Sequence, residues 1–440
     1  MGCIYSVLGL EIGKIVNWEM VGLQVTPREA NSAMVEPPIL RLPWGAEVDS
    51  NSPHLVVTGT SSQEKEMAGF CCVLLSGTGI SPTVQTSHCF GKTACSEGMN
   101  FIALSYQFGP YPDAARNDLC SGRADPQSCL ESYHRDIACG GRESGLVDVS
   151  PCNSILGRLL SLIQYLTRKR EGEGEEERER ELSENEKWSG FLSLDKSMLD
   201  LSKFVFVGHS QGAGHVCWLS RNEELAGSVL ISGPQELMPL PVDVVDGGVK
   251  GSSSSLSWMS SNGGTGKQQA EYNEYKTRGM YAFQHSAEEG TAETSLVERN
   301  WSAIEPLSHT EQVQLTFHRD EDEGLAGCVQ LNSTGLSDGL ATVLSFDKSC
   351  KCENHSITAV AYELLQQNKR SFVTSLPPHD SGTRDPRPNH ASTAIDAFVP
   401  RIPGTGTADL DFVYTDTIFR VILRCILLEA EMKKKPKAKI

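Results

Sequence analysis

The stretch that decides the predicted fold is "FVFVGHSQGAGHVCWLSRN", residues 204–222. Its first four residues are aromatic or β-branched, and such a short apolar run is typical of a buried strand. A Gly-x-Ser-x-Gly pentapeptide follows at residues 208–212, and a helix-like segment begins at Ala213. A strand, a sharp turn and a helix in this order form the local structure that exposes a nucleophilic serine, called a nucleophile elbow.

Ser210 is the candidate nucleophile at the centre of this pattern. A serine hydroxyl is a weak nucleophile unless it is exposed, next to a base and close to the positive end of a helix. A sharp strand-to-helix turn meets these needs by forcing the serine into a strained backbone conformation. Side chains two positions before and after the serine would collide in such a turn, which explains Gly208 and Gly212. The alternative is a serine without chemistry in a glycine-rich turn.

A nucleophilic serine also needs donors for the negative oxygen that forms during acyl transfer, an arrangement called the oxyanion hole. One donor should be the backbone N–H of Gln211, which opens the helix. The second should come from the stretch "LLSGTGISP", residues 74–82, which continues an earlier apolar run. Glycines let backbone N–H groups face a ligand, so we expect this donor at Thr78 or Gly79, next to Gly77. The alternative is an ordinary turn.

Strand-like and helix-like segments alternate along the chain from about residue 54, which is the order of an α/β sheet. Residues 154–170 predict a helix, because their apolar side chains share one face, a serine stands at the start and basic residues close it. Several strand candidates are continuous apolar runs, as expected for strands covered on both faces. The strand candidates are residues 54–58, 69–75, 101–106, 204–207, 228–231 and 280–283.

The sequence resembles the alpha/beta-hydrolase superfamily, and in particular a sparsely characterised branch of bacterial and eukaryotic alpha/beta-hydrolase-like proteins. The similar stretches extend from about residue 55 to residue 428 and leave out the insertions. They are "LLSGTGISP", "FIALSY", "FVFVGHSQGAGHV", "VLISGPQE", "GMYAFQHSAEEG", "NWSAIEPL" and "NHASTAID", of which the elbow is the most specific. The resemblance implies an alpha/beta-hydrolase fold with a mostly parallel central sheet, helices on both faces and loop insertions.

The resemblance also implies a catalytic triad, in which the acid and the histidine follow the serine along the chain. It places the acid after the strand "MYAF", at Glu288, where the superfamily usually has an aspartate. Glutamate departs from this pattern but is an accepted substitute, since the acid holds the imidazole in one tautomer and stabilises its cation. Glu289 stands next to Glu288, so a solvated surface pair is the alternative, and Asp320 is a second candidate.

The resemblance places the catalytic base at His390, in the stretch "PRPNHASTAID". This histidine lies in a loop ahead of a helix-like start and after every strand candidate, which is how the superfamily presents its catalytic histidine. His379, in "PPHD", is the competing candidate, and a solvated loop histidine is the other alternative. His209 and His215 are too near the serine in sequence to be its usual partner.

The chain is expected to form one large domain with insertions. Residues 171–187 are a charge run, which predicts a solvated helix extension or a loop, and residues 246–269 are low-complexity Ser/Gly sequence typical of a loop. Residues 320–367 are irregular and contain cysteines, and they receive no assignment. The expected division is an N-terminal extension at 1–50, an alpha/beta-hydrolase domain at 51–430 with insertions near these three segments, and a basic tail at 431–440.

Composition limits the partners and cofactors. The formal net charge is −17, which argues against nucleic acid because phosphate binding needs a clustered basic surface. The cysteines show no paired metal-ligand spacing, and Cys350 and Cys352 are too close to form a zinc knuckle alone. Cys120 and Cys129 are close enough in sequence to form a disulfide in an oxidising compartment, with free thiols as the alternative. We expect no metal and no organic cofactor.

The N-terminus bears on localisation. Gly2 follows the first methionine, with Cys3 beside it and Ser6 at the position that an acylation motif requires. This pattern predicts myristoylation of Gly2 with palmitoylation of Cys3, and two acyl chains anchor a protein stably to a membrane. No apolar run approaches the length of a membrane-spanning helix. We expect a cytoplasmic protein, with peripheral membrane association if these acyl groups are attached.

These features together predict a serine hydrolase that acts on ester bonds, esterase- or lipase-like, with Ser210, His390 and Glu288 as the triad. The expected partner is a small-molecule ester or acyl substrate, whose identity the sequence does not indicate. Two alternatives stay open. A hydrolase-like scaffold without catalysis could serve as a binding or regulatory protein, since a fold does not imply a function. The same triad could also transfer the acyl group to an alcohol or lipid.

Overall fold

The computed structural model describes residues 23–30, 40–41, 47–48, 51–59, 69–77, 87–107, 120, 123–168, 187–234, 279–285, 307, 312–319, 327–332, 343–345, 357–374 and 418–434. Its strands are β1 (Leu23–Val25), β2 (Leu40–Arg41), β3 (Glu47–Val48), β4 (His54–Val57), β5 (Cys71–Leu75), β6 (Asn100–Leu104), β7 (Phe204–His209), β8 (Gly227–Ile231), β9 (Met280–His285), β10 (Gln312–Arg319), β11 (Gly327–Asn332), β12 (Val343–Ser345) and β13 (Ser371–Thr374). Its helices are α1 (Pro27–Ala30), α2 (Ser87–Ser96), α3 (Pro126–Cys139), α4 (Ile155–Thr167), α5 (Gln211–Asn222), α6 (Ile357–Gln366) and α7 (Arg420–Lys434).

One large sheet dominates the described residues, with its strands in the order β1-β4-β6-β5-β7-β8-β9-β13-β10-β11-β12. The strands from β6 to β10 in this order are parallel to one another. The strands at the two edges, β1 and β4 on one side and β11 and β12 on the other, are antiparallel to their neighbours. β2 and β3 form a separate antiparallel pair. The protein is therefore a mixed α/β fold with a mostly parallel sheet, as the sequence predicts.

The continuous apolar strands are explained by helices on both faces of this sheet. Along β5, Cys71, Val73 and Leu75 belong to one buried cluster, together with residues of α3, α4 and α5. Cys72 and Leu74 point to the other face and belong to a second cluster, with residues of α2, α6 and α7. A strand that is covered on both faces has no solvent side, so it needs no polar alternation.

The predicted helix at residues 154–170 is confirmed as α4, with a later start and an earlier end. Ser154 stands just before it, and its side-chain Oγ accepts a hydrogen bond from the Gly157 backbone N–H at 3.0 Å. This satisfies one of the N–H groups that the first helical turn leaves without an intrahelical partner. Ile155, Leu159 and Leu162 lie on the buried face, as their spacing predicts. Each strand candidate is likewise confirmed, as β4 to β9.

Two segments that the sequence does not assign to the sheet contribute to it. β1 lies in the predicted N-terminal extension at 1–50, yet it pairs with β4, and Val25 and Ala30 are buried in the first cluster. β11 and β12 lie in the unassigned region at 320–367 and extend the sheet beyond β10. β1 and β12 have only three residues each, which is too short for a hydrophobic pattern to reveal them.

The unassigned region at 320–367 also contains α6, which packs on the second face of the sheet through Val360, Ala361 and Leu364. At the C-terminus, α7 continues to Lys434 and so takes in the first residues of the predicted basic tail. The insertion expected near 246–269 lies outside the described residues. The one expected near 171–187 does as well, except for Lys187.

A disulfide joins Cys120 to Cys129, whose Cα atoms lie 5.8 Å apart. Of the two alternatives that the sequence leaves open for this pair, the structure has the disulfide. Cys129 is in the first turn of α3, so the bond ties the preceding chain to the start of that helix. None of the helices in the described part of the chain combines the length and the apolar character that are needed to cross a membrane.

Candidate active site

Ser210 forms the turn between β7 and α5 on its own, since β7 ends at His209 and α5 begins at Gln211. Its backbone angles are φ 54° and ψ −115°. A residue other than glycine in such a conformation costs on the order of 1–3 kcal/mol and persists only where its surroundings enforce it. Here the Ser210 N–H donates to the Ile231 carbonyl at 2.9 Å, and the Ser210 carbonyl accepts from the Ala213 N–H at 3.1 Å. The neighbouring strand and the first turn of the helix together hold the strained serine.

The two glycines that flank the serine are required by different neighbours. A Cβ atom on Gly208 would lie 2.4 Å from the carbonyl oxygen of Gly212, within the start of the helix. A Cβ atom on Gly212 would lie 2.3 Å from the carbonyl oxygen of Leu75, at the end of β5. Real Cβ contacts do not approach so closely. Gly208 therefore lets the helix fold back on the strand, and Gly212 lets the helix pack against the next strand.

The loop that leaves β5 begins directly against Ser210. A Cβ atom on Gly77 would lie 3.0 Å from Cβ of Ser210 and 3.1 Å from Nδ1 of His209. The chain that follows Gly77 therefore starts beside the serine, which is where a second oxyanion donor is needed. Thr78 and Gly79 themselves lie outside the described residues, so their role stays a prediction.

Gln211 is the first residue of α5, where N–H groups have no partner within the helix and the helix dipole is positive. The Ser210 side chain does not cap the helix. The Gln211 side chain points away from solvent, and its Nε2 donates to the hydroxyl of Tyr133 at 3.0 Å. A backbone N–H at this place can stabilise a negative oxygen formed next to the serine.

Behind the turn lie four buried aromatic side chains, which we call the tyrosine–histidine cluster: Tyr106, Tyr133, His134 and His215. The ring centroid of His215 lies 5.6 Å from that of Tyr106, 5.9 Å from that of Tyr133 and 5.0 Å from that of His134. The Nδ1 atoms of the two histidines are 3.0 Å apart. The hydroxyl of Tyr106 donates to the Ser76 carbonyl at 2.6 Å, one residue before Gly77.

Burial keeps both histidines of this cluster neutral. It lowers the pKa of His134 to about 3. It also lowers the pKa of His215 well below the ordinary value, to which the nearby His134 adds. Two neutral imidazoles can share one hydrogen bond, in which Nδ1–H of one ring donates to Nδ1 of the other. A pKa this low makes either ring a weak base.

The cluster was not predicted from the sequence. Its members come from the segment after β6, from α3 and from α5, so no local spacing connects them. Tyr133 and His134 are neighbours on an otherwise ordinary amphipathic helix, and a histidine on a buried helical face has no distinctive pattern. A signal could come only from knowing that α3 packs beside α5.

The other predicted site residues lie outside the described residues. These are the base His390 and the acid Glu288, their alternatives His379, Glu289 and Asp320, and the acylation candidates Gly2 and Cys3. β9 ends at His285, and in the parallel sheet only β8 separates β9 from β7. His285 therefore lies at the carboxyl end of the parallel strands, as Ser210 does. The described residues contain no group of three or more His, Cys, Asp or Glu side chains that could hold a metal ion.

No protein-family model and no curated protein matches the chain. Among solved structures, the chain is similar to that of MGS-M1, an alpha/beta hydrolase enzyme from a Medee basin deep-sea metagenome library, with 11% sequence identity and a TM-score of 0.22. The similarity covers 54% of this chain and 65% of that one, which is less than two thirds of its length. At this level it carries no argument about fold or function, and the comparisons do not assign the chain to a family.

Proposed function

We propose that this protein is a serine hydrolase with an alpha/beta-hydrolase fold that acts on carboxylic esters. The observation that carries the proposal is the backbone of Ser210, which holds φ 54° and ψ −115° between a parallel strand and a helix. Strain of this kind is retained mainly where it serves a function. In a nucleophile elbow it brings the serine hydroxyl to the end of the sheet and the helix N-terminus beneath it.

The first half of the proposed reaction acylates the serine. Oγ of Ser210 attacks the carbonyl carbon of the ester, and its proton passes to His390. The C=O electron pair moves to the carbonyl oxygen, which the N–H of Gln211 and that of Thr78 or Gly79 stabilise. When the C=O bond forms again, the bond to the alcohol oxygen breaks, and the departing alcohol takes the proton from His390.

The second half of the reaction releases the acid. A water molecule loses a proton to His390 and attacks the acyl carbon, and collapse of the intermediate returns that proton to Ser210 Oγ. Glu288 orients His390 and stabilises the imidazolium in both halves. If an alcohol replaces this water, the same residues perform acyl transfer. No step requires a metal or an organic cofactor.

The proposal is tested with a fluorophosphonate probe on the wild type and on Ser210→Ala. Ser210 Oγ attacks phosphorus, the P–F bond breaks and fluoride leaves, so a labelled protein carries a stable phosphonyl serine. We expect covalent labelling of the wild type at Ser210 and none of the variant. A panel of p-nitrophenyl esters of increasing chain length then defines the acyl preference, and added alcohol acceptors separate hydrolysis from transfer. A folded wild type that is not labelled would leave the hydrolase-like binding protein as the better function.

A further inference from the structure

Two tyrosine hydroxyls form hydrogen bonds to residues that lie next to Ser210. The hydroxyl of Tyr133 accepts a hydrogen bond from Nε2 of Gln211 at 3.0 Å. The hydroxyl of Tyr106 donates one to the carbonyl of Ser76 at 2.6 Å. Both tyrosines are buried, so neither hydrogen bond competes with bulk water, and each is worth more than it would be at the surface.

The bond to Gln211 acts on the first oxyanion donor. Gln211 is the first residue of α5, and its backbone N–H is the proposed first oxyanion donor. A free glutamine side chain has several rotamers of similar energy, whereas one that is tied to Tyr133 has a single orientation. The bond to Tyr133 therefore restrains Gln211, the residue that carries the proposed first donor.

The bond to Ser76 acts on the loop that would supply the second donor. The carbonyl of Ser76 and the N–H of Gly77 belong to one planar peptide group, so fixing the oxygen also fixes the nitrogen. Gly77 lies so close to the nucleophile that an added Cβ would be 3.0 Å from Cβ of Ser210. Tyr106 therefore restrains the peptide between Ser76 and Gly77, which follows β5.

The two tyrosines are connected through one side chain. The rings of Tyr106 and Tyr133 both contact His215, with centroids 5.6 Å and 5.9 Å from it. His215 belongs to α5, the helix that begins at Gln211. Its Nδ1 is 3.0 Å from Nδ1 of His134, which follows Tyr133 on α3. The cluster therefore joins α3, α5 and the end of β5 into one packed unit behind the turn.

We propose that Tyr106 and Tyr133 are positioning residues for the groups next to Ser210. Tyr133 acts through Gln211, and Tyr106 acts through the peptide between Ser76 and Gly77. The inference rests on the proposed function, since it needs Ser210 to act as a nucleophile. Displacement of a catalytic group by a fraction of an ångström costs rate and leaves ground-state binding nearly unchanged. The two hydroxyls therefore contribute to the rate of the chemical step and not to the affinity for substrate.

The test uses Tyr106→Phe and Tyr133→Phe, which keep the rings and their packing and remove only the hydroxyls. Fluorophosphonate labelling of Ser210 is followed over a range of probe concentrations, because the phosphonyl oxygen occupies the oxyanion hole and no natural substrate is needed. We expect each variant to lower the maximal labelling rate roughly tenfold. The probe concentration that gives half of the maximal rate should change by less than about twofold.

The matched control is Tyr281→Phe. Tyr281 is also buried, but it lies on β9 with the second core cluster, on the opposite face of the sheet from α5. This variant loses a buried tyrosine hydroxyl without touching Gln211 or Ser76, so its labelling rate should equal that of the wild type. An equal loss in all three variants would show general loosening of the core and would overturn the inference.

The hydrogen bond between Gln211 and Tyr133 can also be removed by changing Gln211. Gln211→Leu should lower the maximal labelling rate as much as Tyr133→Phe does, and the double variant should lose no more than either single one. Multiplicative losses would show that the bond between them is not the cause.

The inference and the proposed function fail in distinguishable ways. Wild-type labelling at Ser210 together with unchanged rates in both tyrosine variants would overturn the inference and leave the function standing. A wild type without labelling overturns both. A variant that does not fold is recognised by its circular dichroism, and the Gln211→Leu series then decides the case for Tyr133.

Discussion

The backbone of Ser210 is strained in a way that only glycine adopts at no cost. The strain is stored in φ 54°, which places Cβ against the neighbouring backbone. A functional residue in such a position is expected to lower the stability of the fold that contains it. In the proposed function, the residue whose strain lowers the stability is also the nucleophile. Substitutions at Ser210 can separate the loss of stability from the loss of the hydroxyl.

Ser210→Gly should raise the free energy of unfolding by about 1 kcal/mol relative to Ser210→Ala. Both variants lose the hydroxyl and therefore the labelling by fluorophosphonate, but only glycine relieves the backbone. Urea unfolding of the two variants side by side measures the difference. Equal stabilities would mean that the turn relaxes around alanine and that the strain is small.

Gly212 has no room for a side chain, because a Cβ atom would lie 2.3 Å from the Leu75 carbonyl oxygen. Gly212→Ala should lower the free energy of unfolding by about 2–3 kcal/mol, since α5 must move away from β5. Gly69→Ala is the control, because nothing lies within 4 Å of its added Cβ. Urea unfolding should show little change for the control. A similar stability for both variants would contradict the close packing of α5 on β5.

At the scale of elements, the sequence predicts what is local and misses what depends on distant neighbours. β7 and the glycines around Ser210 were predictable, because strand, turn and helix are consecutive in the chain. β11 and β12 were not, since their places in the sheet depend on pairing with β10 and with each other. The tyrosine–histidine cluster joins residues 106, 133, 134 and 215, which come together only when α3, α5 and the segment after β6 pack against one another.

The disulfide at the start of α3 should be a measurable part of the stability of this helix. It closes a loop with a sequence separation of 9, for which loop entropy gives about 2.5 kcal/mol. Reductant should lower the unfolding free energy of the wild type by about this amount. The double variant Cys120→Ser/Cys129→Ser is the control, because it should not respond to reductant.

The same bond bears on the expected cytoplasmic localisation. Disulfides persist in oxidising compartments and are rare in the cytosol. Mass spectrometry of the peptide that contains Cys120 and Cys129, from protein alkylated in its native host before extraction, reads the state of the pair. An oxidised pair would contradict a cytoplasmic protein, and two alkylated thiols would agree with one.

At the scale of the whole molecule, three of the buried histidines in the described part of the chain should make the fold sensitive to acid. Burial, with a smaller contribution from Arg158, lowers the pKa of His54 to about 3. The pKa of His134 is also about 3, and that of His215 is well below the ordinary value. Below the unfolded-state pKa of about 6.5, the unfolded chain binds protons that the folded chain does not. The free energy of unfolding therefore falls as the pH falls.

Each of these histidines should contribute a slope of about 1.4 kcal/mol per pH unit between the unfolded-state and folded-state pKa values. Urea unfolding between pH 7.5 and pH 5 measures the slope. His54→Asn is the matched variant, because its amide oxygen can accept the Ser105 N–H that Nδ1 of His54 accepts at 3.0 Å. Its slope should be smaller by the contribution of one histidine. A wild-type free energy that is constant over this pH range would mean that the histidines are not held neutral.

The contact between Nδ1 of His134 and Nδ1 of His215, at 3.0 Å, allows two tautomeric arrangements of the histidine pair with the same net charge. In one, His134 carries its hydrogen on Nδ1 and His215 on Nε2; in the other, the assignments are exchanged. The hydrogen between the rings is shielded from water, so its replacement by deuterium waits for an opening of the core. Nitrogen-15 spectra of the imidazoles, recorded while this hydrogen exchanges for deuterium, would therefore report how often the packing between α3 and α5 opens.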